Sequence, residues 1–465
     1  ASAFPFHVTS HDWQESDRVL SRIMTAVSGP TGAVEVAGRG TFDGEMTGTF
    51  SAPRVAGRFD SYDTRVWDVT WGRAQADAVI EGGYVDIANG RVTNGAGGVI
   101  TPNGRYALGF RKDNRDEINA RVSLVSWPMA DLRHAFVLDD WPMTGTVAQS
   151  DLVLTGRYKN MFGSGRMQID DGTAWGEHFE TVSGDLELEG TGIRVHRIAM
   201  KKGTGIAHGD ARVGWDGTYV FTADGEGIPV ETLDNFKVPQ APLSGRLRFN
   251  ASGASTFEAP KYSFRGSIDD LFAGDQGVGR VQGQLRVDGD TLIIERVVAN
   301  SGLLDVDGRG TIRLNERYDG TVHLRFTQSS IDPYLKFVAP RLSPYTRAIV
   351  SGSVDVSGPL AVPAEMTMAA SIDDATLTLY DYELKNDGSV QLAFKNHVFQ
   401  VAQFKLKGSD TNLQLTGTAD GRARVWDLSA AGNASLSILQ LFFRGITSSG
   451  AATLNASLQG SFDEP

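Results

Sequence analysis

Leu292-Ile293-Ile294-Glu295-Arg296-Val297-Val298-Ala299 holds an eight-residue pattern, apolar-x-apolar-x-x-apolar-x-apolar, that decides how the chain is read. The same octad stands at Ile193-x-Val195-x-x-Ile198-x-Met200 and at Phe399-x-Val401-x-x-Phe404-x-Leu406, with a decayed copy at Val85-x-Ile87-x-x-Gly90-x-Val92. A pattern that returns about every hundred residues is the mark of an array. Period-two alternation on either side of the two-residue gap puts the apolar residues on one face of a strand. The gap itself fits a bulge or a tight turn that keeps that face apolar.

Working outward, each octad follows a partner strand. Leu186-Glu187-Leu188 precedes Ile193, Leu285-Arg286-Val287 precedes Leu292, and Leu392-Ala393-Phe394 precedes Phe399. The linkers Glu189-Gly190-Thr191-Gly192 and Asp288-Gly289-Asp290-Thr291 have hairpin-turn composition. Each unit opens on a strand after glycine, at Gly145-Thr146-Val147, Gly245-Arg246-Leu247, Gly352-Ser353-Val354 and Gly450-Ala451-Ala452. Each closes on a short helix candidate: Trp127 to Leu132, Ile228 to Leu233, Ile331 to Leu335 and Leu436 to Leu439, with a further copy at Ser16 to Leu20. Ser126 and Ser330 stand where N-caps belong, and Pro128, Pro229 and Pro333 fit a first helical turn. The expected division is 1–22, the end of a preceding repeat with its helix; repeats at 23–134, 135–236, 237–338 and 339–442; and 443–465, the start of another. The chain is expected to be a segment of a longer protein.

Composition narrows the function. The 54 glycines and 16 prolines suit many strands joined by tight turns. A formal net charge of -12 argues against a nucleic-acid backbone as partner. Cysteine is absent, which removes thiolate metal sites, a cysteine nucleophile and disulfides. No apolar run reaches the ~20 residues of a membrane-spanning helix.

Asp170-Asp171, Asp269-Asp270 and Asp373-Asp374 each follow isoleucine at equivalent places in successive units. A glycosidase needs one carboxyl pair in one cleft, so recurrence reads better as a turn element. The histidines His7, His11, His134, His178, His196, His208, His323 and His397 show no metal-ligand spacing. Gly274-Asp275-Gln276-Gly277-Val278-Gly279 is glycine-rich but opens no helix after a strand. No catalytic residue, metal site or cofactor is expected.

The run from Gln284 to Leu314, with its strand, glycine turn and strand ending at Gly308, resembles the TamB and AsmA-like family of Gram-negative cell envelopes. Val401 to Gly417 and the Ser-Ile-Asp-Pro-Tyr-Leu stretch from Ser330 resemble it again. The resemblance implies an all-β chain, an elongated repetitive antiparallel sheet folded into a β-taco groove, with short helices between repeats. About forty strands at ~4.8 Å spacing are expected. It further implies a periplasmic segment, anchored elsewhere, that moves phospholipid between inner and outer membranes and aids outer-membrane protein assembly. The implied partners are phospholipid acyl chains and, through regions outside this segment, an outer-membrane protein of the Omp85 class.

The groove lining is expected at Ile193, Val195, Ile198 and Met200; at Leu285, Val287, Leu292, Ile294, Val297, Leu304 and Val306; and at Leu392, Phe394, Phe399, Val401, Phe404, Leu406, Leu413 and Leu415. Inward positions are often small or medium, as at Val287, Ala299, Val306 and Ala423. Periodicity alone leaves open whether these faces line a trough or close into a filled core. A surface β-solenoid or adhesin-like scaffold is the alternative function, and an enzyme on a parallel β-helix is a third reading.

Overall fold

The computed structural model describes residues 3–28, 36–49, 52–108, 113–136, 138–139, 141–236, 242–332, 346–379, 382–436 and 449–462. The chain forms two units, Ala1–Lys237 and Val238–Pro465. Every strand pairing among the described residues is antiparallel, which excludes a parallel β-helix.

The first unit begins with β1 (Phe4–Ser10) and α1 (Trp13–Ser28). Six strands follow: β2 (Ala37–Thr49), β3 (Ala52–Val66), β4 (Val69–Glu81), β5 (Tyr84–Thr93), β6 (Val99–Ala107) and β7 (Ile118–Pro128). Then comes α2 (Met129–Ala135), and six more strands: β8 (Thr146–Arg157), β9 (Asn160–Ala174), β10 (Glu177–Glu189), β11 (Gly192–Lys202), β12 (Gly205–Gly214) and β13 (Thr218–Pro229). Two 3-10 turns, Val230–Thr232 and Asp234–Phe236, close the unit. Each strand pairs with its neighbours in sequence, so alternate turns lie on the same margin of the sheet. An even number of strands brings the chain back to the margin it left. The helical connections of this unit therefore share one margin.

The second unit is a meander of β14 (Leu243–Thr256), β15 (Lys261–Ala273), β16 (Gln276–Asp288), β17 (Thr291–Asn300), β18 (Asp305–Arg313) and β19 (Asp319–Ser330). It continues through β20 (Thr346–Pro359), β21 (Thr367–Leu379), β22 (Tyr382–Asn386), β23 (Val390–Lys395), β24 (Val398–Gly408), β25 (Thr411–Asp420), β26 (Val425–Ser435) and β27 (Ala451–Ser461). Strands β22 and β23 both lie between β21 and β24, so they act as two halves of one interrupted strand.

The octad gap is a bulge in every copy. On β17 the pairing steps from Ile294↔Gly310 to Val297↔Gly308, so Glu295 and Arg296 oppose one residue. Strand β24 does the same between Val401 and Phe404, and β11 between Val195 and Ile198. Arg197, inside the β11 bulge, is left-handed at φ 50°. Because the gap is a bulge, strands run through it. The described residues form 27 strands, fewer and longer than the expected forty.

Several expectations need correction. The aspartate pairs are strand bulges, not turns: Asp171 and Asp270 sit inside β9 and β15 with φ 49° and 52°, and the β20–β21 register shifts at Asp373. Asp tolerates that conformation because its short carboxylate bonds locally. Ser126 caps no helix, since β7 continues through it and α2 starts after Pro128 without a side-chain cap. Pro128 and Pro229 precede their helical turns rather than lying inside them. The copy at Ser16 to Leu20 is part of the sixteen-residue α1. Ala423 is exposed in the β25–β26 turn and lines nothing. Ser330 ends β19, where its Oγ accepts a bond from the Asp332 N–H at 3.4 Å. Pro333 to Leu335 and Ser437 to Leu439 lie outside the described residues.

Candidate functional site: an apolar sheet face

Antiparallel pairing converts the octads into rows that cross the strands. In the second unit one row runs Phe249, Gly266, Gly283, Val297, Gly308, Leu324 and Val354. It continues through Ala370, Leu392, Val401, Gly417, Leu428 and Leu458. The adjacent row runs Ala251, Phe264, Leu285, Ile294, Gly310, Val322 and Val356. It ends through Met368, Phe394, Phe399, Ala419, Trp426 and Gly460. Neither row contains a polar side chain.

The remaining expected lining residues fall on the same face. Val287 pairs with Leu292, and Ala299 with Val306. Beyond the β24 bulge, Phe404 pairs with Leu415 and Leu406 with Leu413. Leu304 is different: it sits in the turn before β18, where its carbonyl accepts the Ser301 N–H at 2.7 Å. Along the Val297 row only Gly308, Ala370 and Val401 are buried, and most other members are half-buried. A row covered by a second layer would be buried throughout.

The first unit carries equivalent rows. One runs Phe6, Gly44, Gly57, Ala78, Ile87, Gly104 and Ala120, then Leu154, Gly163, Leu188, Ile193, Val213 and Tyr219. Val195 lies beside it between Leu186 and Ala211, Ile198 faces Gly209, and Met200 joins Val182 and Ala207. Here part of the face is filled. Trp127 and Val147 are fully buried in a cluster with Ile100, Leu124, Ile169 and Phe179, against which Met129 and Leu132 of α2 pack. Ile118, Ala120 and Leu154 form a second cluster. An open concavity of about 460 Å³ is lined by Gly57, Ala78, Ile87 and Gly104 among others.

Glycines in these rows have a steric cause. A Cβ on Gly163 would lie 2.2 Å from the carbonyl oxygen of Val153, and one on Gly417 2.1 Å from that of Asp427. Sequence reading missed these positions because glycine carries no apolar signal.

The opposite face is charged. Arg296 meets Asp307 at 2.6 Å, Arg121 meets Asp151 at 3.0 Å, and His323 meets Asp355 at 2.7 Å. Two guanidinium groups, Arg212 and Arg194, hold the Glu189 carboxyl below its ordinary range. On the apolar side, burial pushes the Tyr106 hydroxyl well above its ordinary range, and that hydroxyl has no hydrogen-bond partner.

One buried ion pair ties the helical margin of the first unit together. Lys202, 5% exposed, lies 2.8 Å from Glu177 and donates to the His178 carbonyl at 2.5 Å. Burial alone would raise the Glu177 pKa; Lys202 and the N–H groups of Asn235 and Asp234 outweigh it and hold the carboxyl low.

Among the described residues no helix is long and apolar enough to cross a membrane. No group of three His, Asp or Glu able to hold a metal ion occurs among them either. Comparison with protein-family models, with curated proteins and with solved structures finds no match to this chain.

Proposed function

We propose that this chain is a lipid-conducting segment of a cell-envelope biogenesis protein of the TamB and AsmA-like kind, located in the periplasm. The observation that supports this reading is the pair of uncharged rows crossing the second unit, half-buried and without a covering layer.

The energetics suit acyl chains. Each methylene taken out of water gains ~0.8 kcal/mol, so a row of aliphatic side chains offsets much of the cost of leaving a bilayer. A continuous row with no charge lets the chain slide without meeting a step. The headgroup stays in water at the margin. No bond is made or broken.

A scaffold function is the second reading, and the packed Trp127 cluster favours it for the first unit. The two readings part in a transfer assay with fluorescent phospholipid moving between donor and acceptor vesicles. The conduit predicts protein-dependent transfer that Ile294→Asp abolishes. Transfer no faster than in protein-free controls would favour the scaffold.

A further inference from the structure

We infer that α2 is a releasable lid on the first unit. Closed, it seals the helical margin over the Trp127 cluster; released, it adds that cluster to the apolar face. What the open lid admits, an acyl chain, rests on the lipid reading above, whereas the opening itself does not.

The closures after β7 and after β13 hold equivalent places, each following six strands, yet they are fastened differently. After β13 the chain is locked. Val230 is 3% exposed, and Glu177, paired with the buried Lys202, accepts the Asp234 and Asn235 N–H groups. After β7, α2 has no buried residue and no side-chain cap. Met129 and Leu132 rest on the Trp127 cluster, and the remaining hold is at the surface. His134 lies 3.0 Å from Asp139 and 3.8 Å from Asp68, all three side chains exposed. Contacts of that exposure add little.

Trp67 is the latch. Its ring centroid lies 6.1 Å from that of Phe136, just past the helix, and both rings are about half exposed. With Asp68 it makes the β3–β4 turn, at φ 53° and 61°. Left-handed turn positions favour Asn and Gly, and a bulky aromatic there is strained. Such strain persists where the surroundings impose it, and it clusters at clamps and switches. Here it presents an indole to Phe136. Because α2 packs on both β7 and β4, the contact straps the margin across the ends of β5 and β6.

Beneath the strap, Trp71 of β4 and Trp127 of β7 bring their ring centroids to 5.7 Å. The packing leaves polar atoms unsatisfied. Trp127 Nε1, Arg133 Nε of α2 and the Oγ of Ser150, cross-strand from Leu124, are buried without a hydrogen-bond partner. An unpaired buried donor raises the free energy of the state that buries it. The closed lid is therefore held less firmly than its apolar contacts alone would hold it.

Native-state hydrogen exchange, read by mass spectrometry on the whole chain, tests the lid. The reporters are the Phe136 and Leu138 N–H groups, bonded to the Leu132 and Arg133 carbonyls. They are expected to exchange through a local opening, at least about tenfold faster than the amides of β8. Trp67→Asn is the decisive variant. Asn suits the left-handed turn, so urea denaturation should show the fold as stable as before or more so. Loss of the ring contact should meanwhile speed exchange of the reporters by about two- to tenfold. Phe136→Ala should speed exchange of Leu138 alike. Reporters that exchange only with global unfolding, or that ignore both variants, overturn the lid. Adding phosphatidylglycerol vesicles tests what it admits, since acyl chains that cover the Trp127 cluster should speed exchange further. Unchanged exchange while lipid co-purifies with the chain overturns the acyl-chain assignment and leaves the groove standing. Absence of any bound lipid overturns the groove reading, and the opening is still decided by the two variants.

Discussion

At the scale of single residues, Lys202 shows what a buried charge costs when it loses its partner. Lys202→Met should destabilise the first unit by about 2–4 kcal/mol, below the fully buried range because Glu177 keeps 28% of its side chain exposed. Urea denaturation of the variant measures it. The pH dependence has a fixed sign. Glu177 is held below its ordinary 4.5, so its stabilising contribution is present above that value and is lost as pH falls. The stability gap between the native chain and Glu177→Gln should narrow between about pH 6 and about pH 3. Gly163 makes the steric counterpart. Its missing Cβ would strike the Val153 carbonyl, so Gly163→Val should cost about 1–3 kcal/mol by forcing the strands apart. Neither effect is legible in the sequence. Glu177 and Lys202 are distant in the chain, and Gly163 looks like any turn glycine until its neighbour is known.

At the scale of elements, β17 carries the argument. Its octad was readable because side-chain alternation survives a bulge when the gap holds two residues rather than one. The pairing of Leu285 with Ile294, and of Phe394 with Phe399, follows from the short linkers and was equally legible. Helix starts were not. Ser126 has the right residue type one position before a tryptophan, yet it sits left-handed at φ 52° between the Val125–Gln149 and Trp127–Val147 pairs, and the strand resumes after it. Tertiary packing of that indole outweighs a cap. The aspartate pairs misled for a related reason, since Asp serves bulges and turns through the same left-handed conformation. Ile294→Asp tests the element directly. Ile294 is half-buried on an uncovered row, so the variant should lose less than about 1.5 kcal/mol while lipid binding falls sharply. Val147→Asp is the contrast: the site is fully buried, and an unpaired charge there should unfold the unit. Circular dichroism melts of the two variants separate these outcomes.

At the scale of the whole molecule, the repeat decides what kind of function is open to the chain. A meander in which every strand adds one residue to each row extends an apolar path for as long as the array continues. Sequence could show that period and that polarity. It could not show whether the face was covered, because a filled core and an open trough demand the same alternation. Side-chain exposure separates them, with half-buried rows in the second unit and packed clusters in the first. The measurement that bears most directly on the central claim is native mass spectrometry of the chain, expressed in a bacterial periplasm and purified without detergent. An open apolar face predicts several phospholipids bound per chain, and fewer in Ile294→Asp. A folded, monodisperse chain that carries no lipid would contradict the account.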